Sequence, residues 1–176
     1  MNREKIKIGV LGCGRVCEHY IQKIFIPERV GNLYEVVAVC DVDIEKSTYV
    51  ANIFSCKAYN SIQEFVQKKN MELVVILTKS GQHYEHSKIC LLNNLNVIVE
   101  KPLSLRIDHA QELINISTSN GKFCASIFQN RLNPAVVATK NAFEKKRFGN
   151  LVSVSVRLRW CRLQEYYNDG WHGTWA

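Results

Sequence analysis

Proline and glycine are scarce in this chain, at 3 and 9 of 176 residues. That scarcity excludes a collagen-like repeat or a Pro/Gly-rich disordered tract. No apolar run approaches the roughly 18 residues that a membrane-spanning helix needs. The opening MNREKIKIGVLG has no adequate signal-peptide core, because its apolar stretch is short and a glycine turn interrupts it. CxxC pairs are absent too. The seven cysteines, at 13, 17, 40, 56, 90, 124 and 161, are odd in number and dispersed, unlike a disulfide framework. Most sit in apolar runs as small hydrophobes, a pattern that suits a reducing cytoplasm. His83 and His86 form an HxxH, but no cysteine or carboxylate stands at a useful ligand spacing, so no metal site is expected. No zinc finger, RNP-like aromatic pair or basic helix is present, which leaves nucleic-acid binding resting on net charge alone.

What the chain does have is a 47% apolar fraction and 23 basic against 16 acidic side chains, a formal charge of +7. Its length suffices for one real core and part of a second. The positive balance points to nucleic acid or to an acidic ligand without choosing between them.

The order of elements is informative. Apolar strands are expected at Ile6–Leu11, Tyr34–Cys40, Cys56–Tyr59, Met71–Leu77, Asn96–Val99 and Lys122–Phe128. Helical stretches at Val16–Phe25, Ile44–Phe54, Gln82–Leu92 and Ile107–Ser117 alternate with them, and the SIQE run at Ser61 predicts a capping box opening another. A loop holds Pro27 and Gly31. Near-continuous Val/Ile/Leu strands alternating with helices predict a doubly wound parallel sheet of the Rossmann type. The pattern changes at about residue 126. Pro134 opens a helix to about Lys146, Gly149 ends it, and LVSVSVRLRWC at 151–161 alternates like a strand with one buried face. The expected domains are a dinucleotide-binding unit, 1–125, and the incomplete beginning of a substrate-binding and oligomerisation domain, 126–176. Trp160, Trp171 and Trp175 cluster near that strand, which cannot bury its own face well, so a fragment of a longer protein is expected.

Gly12 and Gly14 follow the first strand and precede a helix, the context a G-x-G-x-x-[G/A] fingerprint requires, with Cys17 at the third small position. Gly12 permits the tight turn. Gly14 removes a side chain so that a diphosphate can approach the helix N-terminus. Asp41 ends the second strand, 29 residues after Gly12, where about 20 is usual. A carboxylate there would accept hydrogen bonds from the adenosine ribose and repel a 2′-phosphate, and Asp43 adds to that bias, which favours NAD over NADP. Asp41 could equally cap the following helix, and both roles are compatible.

With Glu100-Lys101-Pro102 the chain resembles the Gfo/Idh/MocA oxidoreductase family. The resemblance rests on GCGRV, on LTKSGQH at 77–83, on EKPLS at 100–104 and on FQNRLNPAV at 128–136. It implies a Rossmann domain followed by an α/β domain with an open, mostly antiparallel sheet, and NAD(P)-dependent chemistry on sugars or cyclitols. The closing RWCRLQEYYNDGWHGTWA resembles the subgroup that oxidises C3 of UDP-N-acetyl-glucosaminuronic acid on the way to surface polysaccharide. By the same resemblance Lys101 lies at the reaction centre, as the catalytic residue, in contact with both cofactor and substrate. A cation there would stabilise the alkoxide that develops as hydride leaves.

The resemblance also places Gly12, Gly14, Arg15, Val16, Asp41, Thr78, Ser80, His83, Glu100, Gln129 and Asn130 on the cofactor. As bare chemistry, His83 is a histidine in a helix's first turns, where capping or packing would serve equally. Arg131, Arg159 and Arg162 suit a phosphate or uronate carboxylate, or else form a solvated row. Tyr166, Tyr167 and Trp171 are candidates for the sugar-nucleotide pocket, or for a core or interface.

The family continues with a glycine-rich turn and a helix carrying an Asp and a His that complete the catalytic group. His172 stands instead where the subgroup has an arginine. The chain as written is thus expected to bind NAD and to be catalytically incomplete, with the full-length protein a homo-oligomer. The open alternatives are an inositol or free-sugar dehydrogenase and a non-enzymatic NAD-binding protein. Charge sharpens the choice of ligand. Residues 126–176 hold 8 basic and 3 acidic groups against 15 and 13 in residues 1–125, so the excess lies where an anionic sugar nucleotide is expected.

Overall fold

The computed structural model describes residues 4–25, 33–168, 170, 172 and 173. The loop expected around Pro27 and Gly31, together with Trp171 and Trp175, lies outside them. Six strands, β1 (Ile6–Leu11), β2 (Tyr34–Cys40), β3 (Lys57–Tyr59), β4 (Leu73–Ile76), β5 (Asn96–Val99) and β6 (Cys124–Ser126), form one sheet in the order β3-β2-β1-β4-β5-β6. Every pairing is parallel. The crossovers carry α1 (Arg15–Tyr20), α2 (Ile44–Phe54), α3 (Ile62–Phe65), α4 (His83–Leu92) and α5 (Ile107–Ser119). Strand order reverses between β1 and β4, and in such sheets ligands bind outside the carboxyl ends at that point.

Two apolar layers explain why the strands read as unbroken Val/Ile/Leu. Val10, Val39 and Val75 pack with Cys17, Tyr20, Phe25 and Val50, while Leu11, Ala38, Val74, Ile76 and Val97 pack with Phe65, Leu91 and Leu113. Neighbouring strand residues face opposite layers, so the strand interiors are apolar on both faces, while Lys7, Glu35, Lys57 and Asn96 stand in the first two positions of their strands.

Several local expectations shift. Helix α1 is short and continues as a wider π-type turn over Ile21–Phe25. The capping box at Ser61 does not form. The Ser61 hydroxyl bonds to Gln63 Oε1 at 3.1 Å, and the helix it precedes is a single turn.

The chain divides between Ile127 and Phe128 into two compact units. In the second, Asn133 caps α6 (Pro134–Glu144) by accepting from the Ala135 amide at 3.0 Å, with Pro134 in the first turn. The open, mostly antiparallel sheet that the resemblance implies for the second domain is not found among the described residues. Among the described residues no antiparallel pairing exists, and 151–161 forms no strand. Alternation records which face a strand would bury, but a strand is made by pairing its N–H and C=O groups with a neighbour. No such neighbour is present among the described residues. Val152, Val154, Val156, Leu158 and Trp160 are accordingly exposed.

Gly9 in β1 leaves no room for a side chain. A Cβ there would lie 2.2 Å from Met71 Sδ and 2.6 Å from Phe65 Cζ. Gly9→Ala is expected to destabilise the fold by about 1–3 kcal/mol through overpacking. A fall in urea midpoint, followed by far-UV circular dichroism, reads this directly; an unchanged midpoint would mean that the two side chains can yield.

Candidate dinucleotide and reaction site

The glycine turn is held by its neighbours on both sides. Gly12 N donates to the Cys40 carbonyl at 2.8 Å, and Leu77 N donates to the Leu11 carbonyl at 2.8 Å. Gly12 has φ +98°, and a Cβ there would stand 2.8 Å from both the Leu77 carbonyl carbon and the Thr78 nitrogen. Only glycine meets both conditions. Gly14 differs. It precedes α1 in extended conformation with no side-chain cap, and a Cβ there would meet nothing within 4 Å. Arg15 and Val16 form the exposed first turn beyond it. Cys17 is fully buried, as the small third position requires.

Asp41 closes the turn from the β2 side. Its Oδ2 accepts from the Cys13 amide at 2.7 Å and its Oδ1 from the Asp43 amide at 2.9 Å. The cap of α2 is Asp43, which accepts from the amides of Glu45 and Lys46. Asp41 is thereby released from the capping role and stays half-exposed at the strand end. An open cradle at Gly14, uncapped amides beyond it and a carboxylate at the end of β2 together fit a dinucleotide diphosphate and ribose.

The thiols beside the turn are not poised as nucleophiles. A hydrogen bond with Cys17, and then burial, raise the Cys13 pKa; burial and then Asp41 push Cys40 up to about 12. Their thiolate forms are suppressed.

The Glu100-Lys101-Pro102 loop leaves β5 with Glu100 N donating to the Ile76 carbonyl at 3.0 Å. Glu100 Oε1 accepts from Tyr20 Oη at 2.5 Å, and its Oε2 accepts from the Lys101 amide at 3.0 Å. Lys101 is exposed, and the Lys101–Pro102 peptide is cis. His83 is almost wholly buried, at 1% exposure, with Nδ1 2.6 Å from the Pro102 carbonyl and Nε2 2.9 Å from the Thr78 carbonyl. A neutral imidazole can donate to one of these oxygens, an imidazolium to both. His86 Nδ1 lies 3.0 Å from Thr78 Oγ1. The HxxH, lying on one face of α4, therefore clamps Thr78 by its carbonyl and its hydroxyl. Ser80 begins the 3-10 turn Ser80–Gln82 that leads into α4.

Gly12, Gly14, Asp41, Thr78, Ser80, His83, Glu100 and Lys101 thus gather at the carboxyl edge of the first unit. Tyr20 and His86 belong with them and were missed. Tyr20 reads as one more apolar position of α1, and no local signal marks His86 as a partner of Thr78.

The remaining candidates lie in the second unit. Gln129, Asn130 and Arg131 form the exposed turn Gln129–Leu132, with the Arg131 guanidinium 5.6 Å from the Phe128 ring. Arg162 lies 4.2 Å from the Trp160 ring and 5.1 Å from the Tyr166 ring, and Tyr167 meets Tyr166 edge-on at 5.2 Å. Arg159 stands exposed in the preceding stretch, and Trp171 falls outside the described residues.

A family model described as an oxidoreductase family with an NAD-binding Rossmann fold matches residues 6–128. The chain belongs to the Gfo/Idh/MocA family. Among solved structures it is similar to the WlbA dehydrogenase of Chromobacterium violaceum in complex with NADH and UDP-GlcNAcA. The TM-score is 0.91 and identity 28%, over 99% of this chain and 50% of that one. The WlbA dehydrogenase of Bordetella pertussis, solved with the same two ligands, gives 0.90 and 27% over the same shares. Among curated proteins, the inositol 2-dehydrogenase of Salmonella typhimurium is 26% identical over 155 residues, 86% of this chain and 45% of the relative. The chain spans about half the length of these relatives.

The two glycines of this Gfo/Idh/MocA turn should separate folding from binding. Gly12→Ala is expected to destabilise by at least about 1–3 kcal/mol, from its backbone conformation alone. Gly14→Ala should leave the denaturation midpoint unchanged and weaken NADH binding at least about tenfold, roughly 1.4 kcal/mol. Fluorescence titration beside a urea melt checks both; full-strength NADH binding by Gly14→Ala would place the diphosphate elsewhere.

His86 supplies a pH dependence. Burial, and then the charge of His83, lower its pKa from the usual 6.5. The unfolded chain then binds the proton more readily than the folded one. The contribution of neutral His86 is full above pH 6.5 and is lost as the pH falls through its lowered folded value. Urea midpoints taken from about pH 7.5 down to 5.5 should decline, and His86→Asn should flatten that decline.

Proposed function

We propose that this protein is an NAD-dependent oxidoreductase that oxidises the C3 hydroxyl of a UDP-N-acetyl-hexuronic acid, in the making of surface-polysaccharide sugars. The observation that carries this reading is the likeness, over 99% of the chain, to two dehydrogenases solved with NADH and UDP-GlcNAcA. Residues 1–125 receive the cofactor and residues 126–176 meet the substrate. A nicotinamide bound there would supply the acceptor for the carbinol hydride, while the hydroxyl proton passes to solvent as the ketone forms. Lys101, at the carboxyl end of β5, holds its ammonium against the reacting oxygen and stabilises the alkoxide that develops there. Asp41 receives the adenosine ribose and, with Asp43, disfavours a 2′-phosphate. Thr78, Ser80, His83, Glu100, Gln129 and Asn130 line the cofactor. Arg131, Arg159 and Arg162 answer the diphosphate and the uronate carboxylate, groups that a guanidinium fork matches. Tyr166, Tyr167 and Trp171 complete the sugar-nucleotide pocket. The full-length protein acts as a homo-oligomer, and the seven free thiols of this chain suit a reducing cytoplasm.

The second reading, an inositol dehydrogenase, is favoured by the 26% identity to the Salmonella enzyme. NADH absorbance with UDP-N-acetyl-glucosaminuronic acid and with myo-inositol as alternative substrates decides between them. Turnover of the sugar nucleotide alone supports the first reading, and turnover of inositol alone overturns it in favour of the second. The chain as written, about half the length of these relatives, is expected to bind NADH without turnover. The same outcome in the full-length protein would leave a cofactor-binding protein and remove the enzymatic reading. In an active protein, Lys101→Met should keep NADH affinity and lose at least about 100-fold in kcat. Unchanged turnover would remove Lys101 from the reaction centre.

A further inference from the structure

We propose that Tyr20 is a positioning residue: its hydroxyl orients the Glu100 carboxylate, which in turn holds the Lys101 amide. This rests on the reading that Lys101 stands at the reaction centre. Tyr20 is the last residue of α1, the helix whose first turn follows Gly14, and Glu100 lies 80 positions away in sequence. Tyr20 as a whole is 6% exposed, and its hydroxyl donates to Glu100 Oε1 at 2.5 Å in a partly buried hydrogen bond. The other carboxylate oxygen accepts from Lys101 N at 3.0 Å. One carboxylate therefore has one oxygen on the glycine-turn helix and the other on the backbone of the reactive lysine.

A phenol on a carboxylate is a short, charge-assisted bond, about twice as strong as a neutral one. Burial, and then Glu100 itself, raise the Tyr20 pKa, so the phenol stays a donor throughout the working range. The helix that receives the diphosphate and the loop that carries Lys101 are joined in this way by a single hydroxyl. On the far side of Lys101, the Pro102 carbonyl is held at 2.6 Å by the buried His83, so the backbone is held on both sides of the lysine.

Tyr20→Phe removes one oxygen and keeps the ring in its apolar layer. In hydrogen-exchange NMR of the chain, the Lys101 amide should exchange faster in Tyr20→Phe, by up to about tenfold for a bond to a charged group. The core amides of Val75 and Val97 should stay unchanged, an outcome that a general loss of stability would not produce. NADH, the probe for binding, should bind more weakly by a comparable factor. Because the hydroxyl acts through Glu100, Tyr20→Phe added to Glu100→Gln should cost nothing beyond Glu100→Gln alone. An unchanged Lys101 amide in Tyr20→Phe, or additive losses in the double variant, overturns the proposal. If the unaltered chain fails to bind NADH while its Lys101 amide still responds to Tyr20→Phe, the cofactor reading falls and the positioning role stands.

Discussion

At Gly12 the chain has no room for a side chain. Strand β1 ends between the carbonyl of Cys40 and the Leu77–Thr78 backbone, and the turn that follows must pass within van der Waals distance of the latter with φ +98°. The ends of β1, β2 and β4 meet at one edge, with Asp41 the first residue beyond β2 and Thr78 the second beyond β4. Every other part of the candidate site is placed relative to that contact. Cys13 N meets Asp41 because the turn is tight, and α1 starts where it does because Gly14 follows one residue later.

The same edge shows how a flexible cation is given an address. Lysine has a long stem and no acceptor atoms, so nothing on its own side chain locates it. Here the location comes from the backbone on either side. Glu100 is held by Tyr20, and the Pro102 carbonyl is held by His83, which also grips the carbonyl of Thr78. Two crossover helices, α1 and α4, thereby converge on one loop. The lysine remains exposed while its flanking residues do not move freely.

Much of this was legible in the residues. The parallel sheet follows from strands that are nearly continuous in apolar residues, since two layers of helices leave little face for polar side chains. Gly12, Gly14 and Asp41 announce themselves by residue type and by position after strands. Other features left no trace in local pattern. Tyr20 reads as one more apolar residue of α1, and its role depends on a carboxylate 80 residues later. The HxxH at 83 and 86 lacks the spacing of a metal site, and nothing local shows that its partners are the hydroxyl and carbonyl of Thr78 and the carbonyl of Pro102. Alternation at 151–161 suggested a strand, and Ser61 a capping box. Both expectations failed because alternation and spacing describe one segment, whereas a ladder or a cap needs a second group in reach.

By itself, then, the sequence determined the period of burial, the positions where only glycine or a small thiol can stand, and the charged residues set at strand ends. These are local properties, set by sterics and by water's exclusion of apolar surface. Tertiary structure alone decided which hydrogen-bonding groups meet. The Tyr20–Glu100 pair, the Thr78 clamp and the transfer of the α2 cap from Asp41 to Asp43 each depend on ångström-scale approach between groups. For the first, those groups lie on separate elements. Their approach is set by how the packed layers fit together, and that fit is a property of the whole first unit.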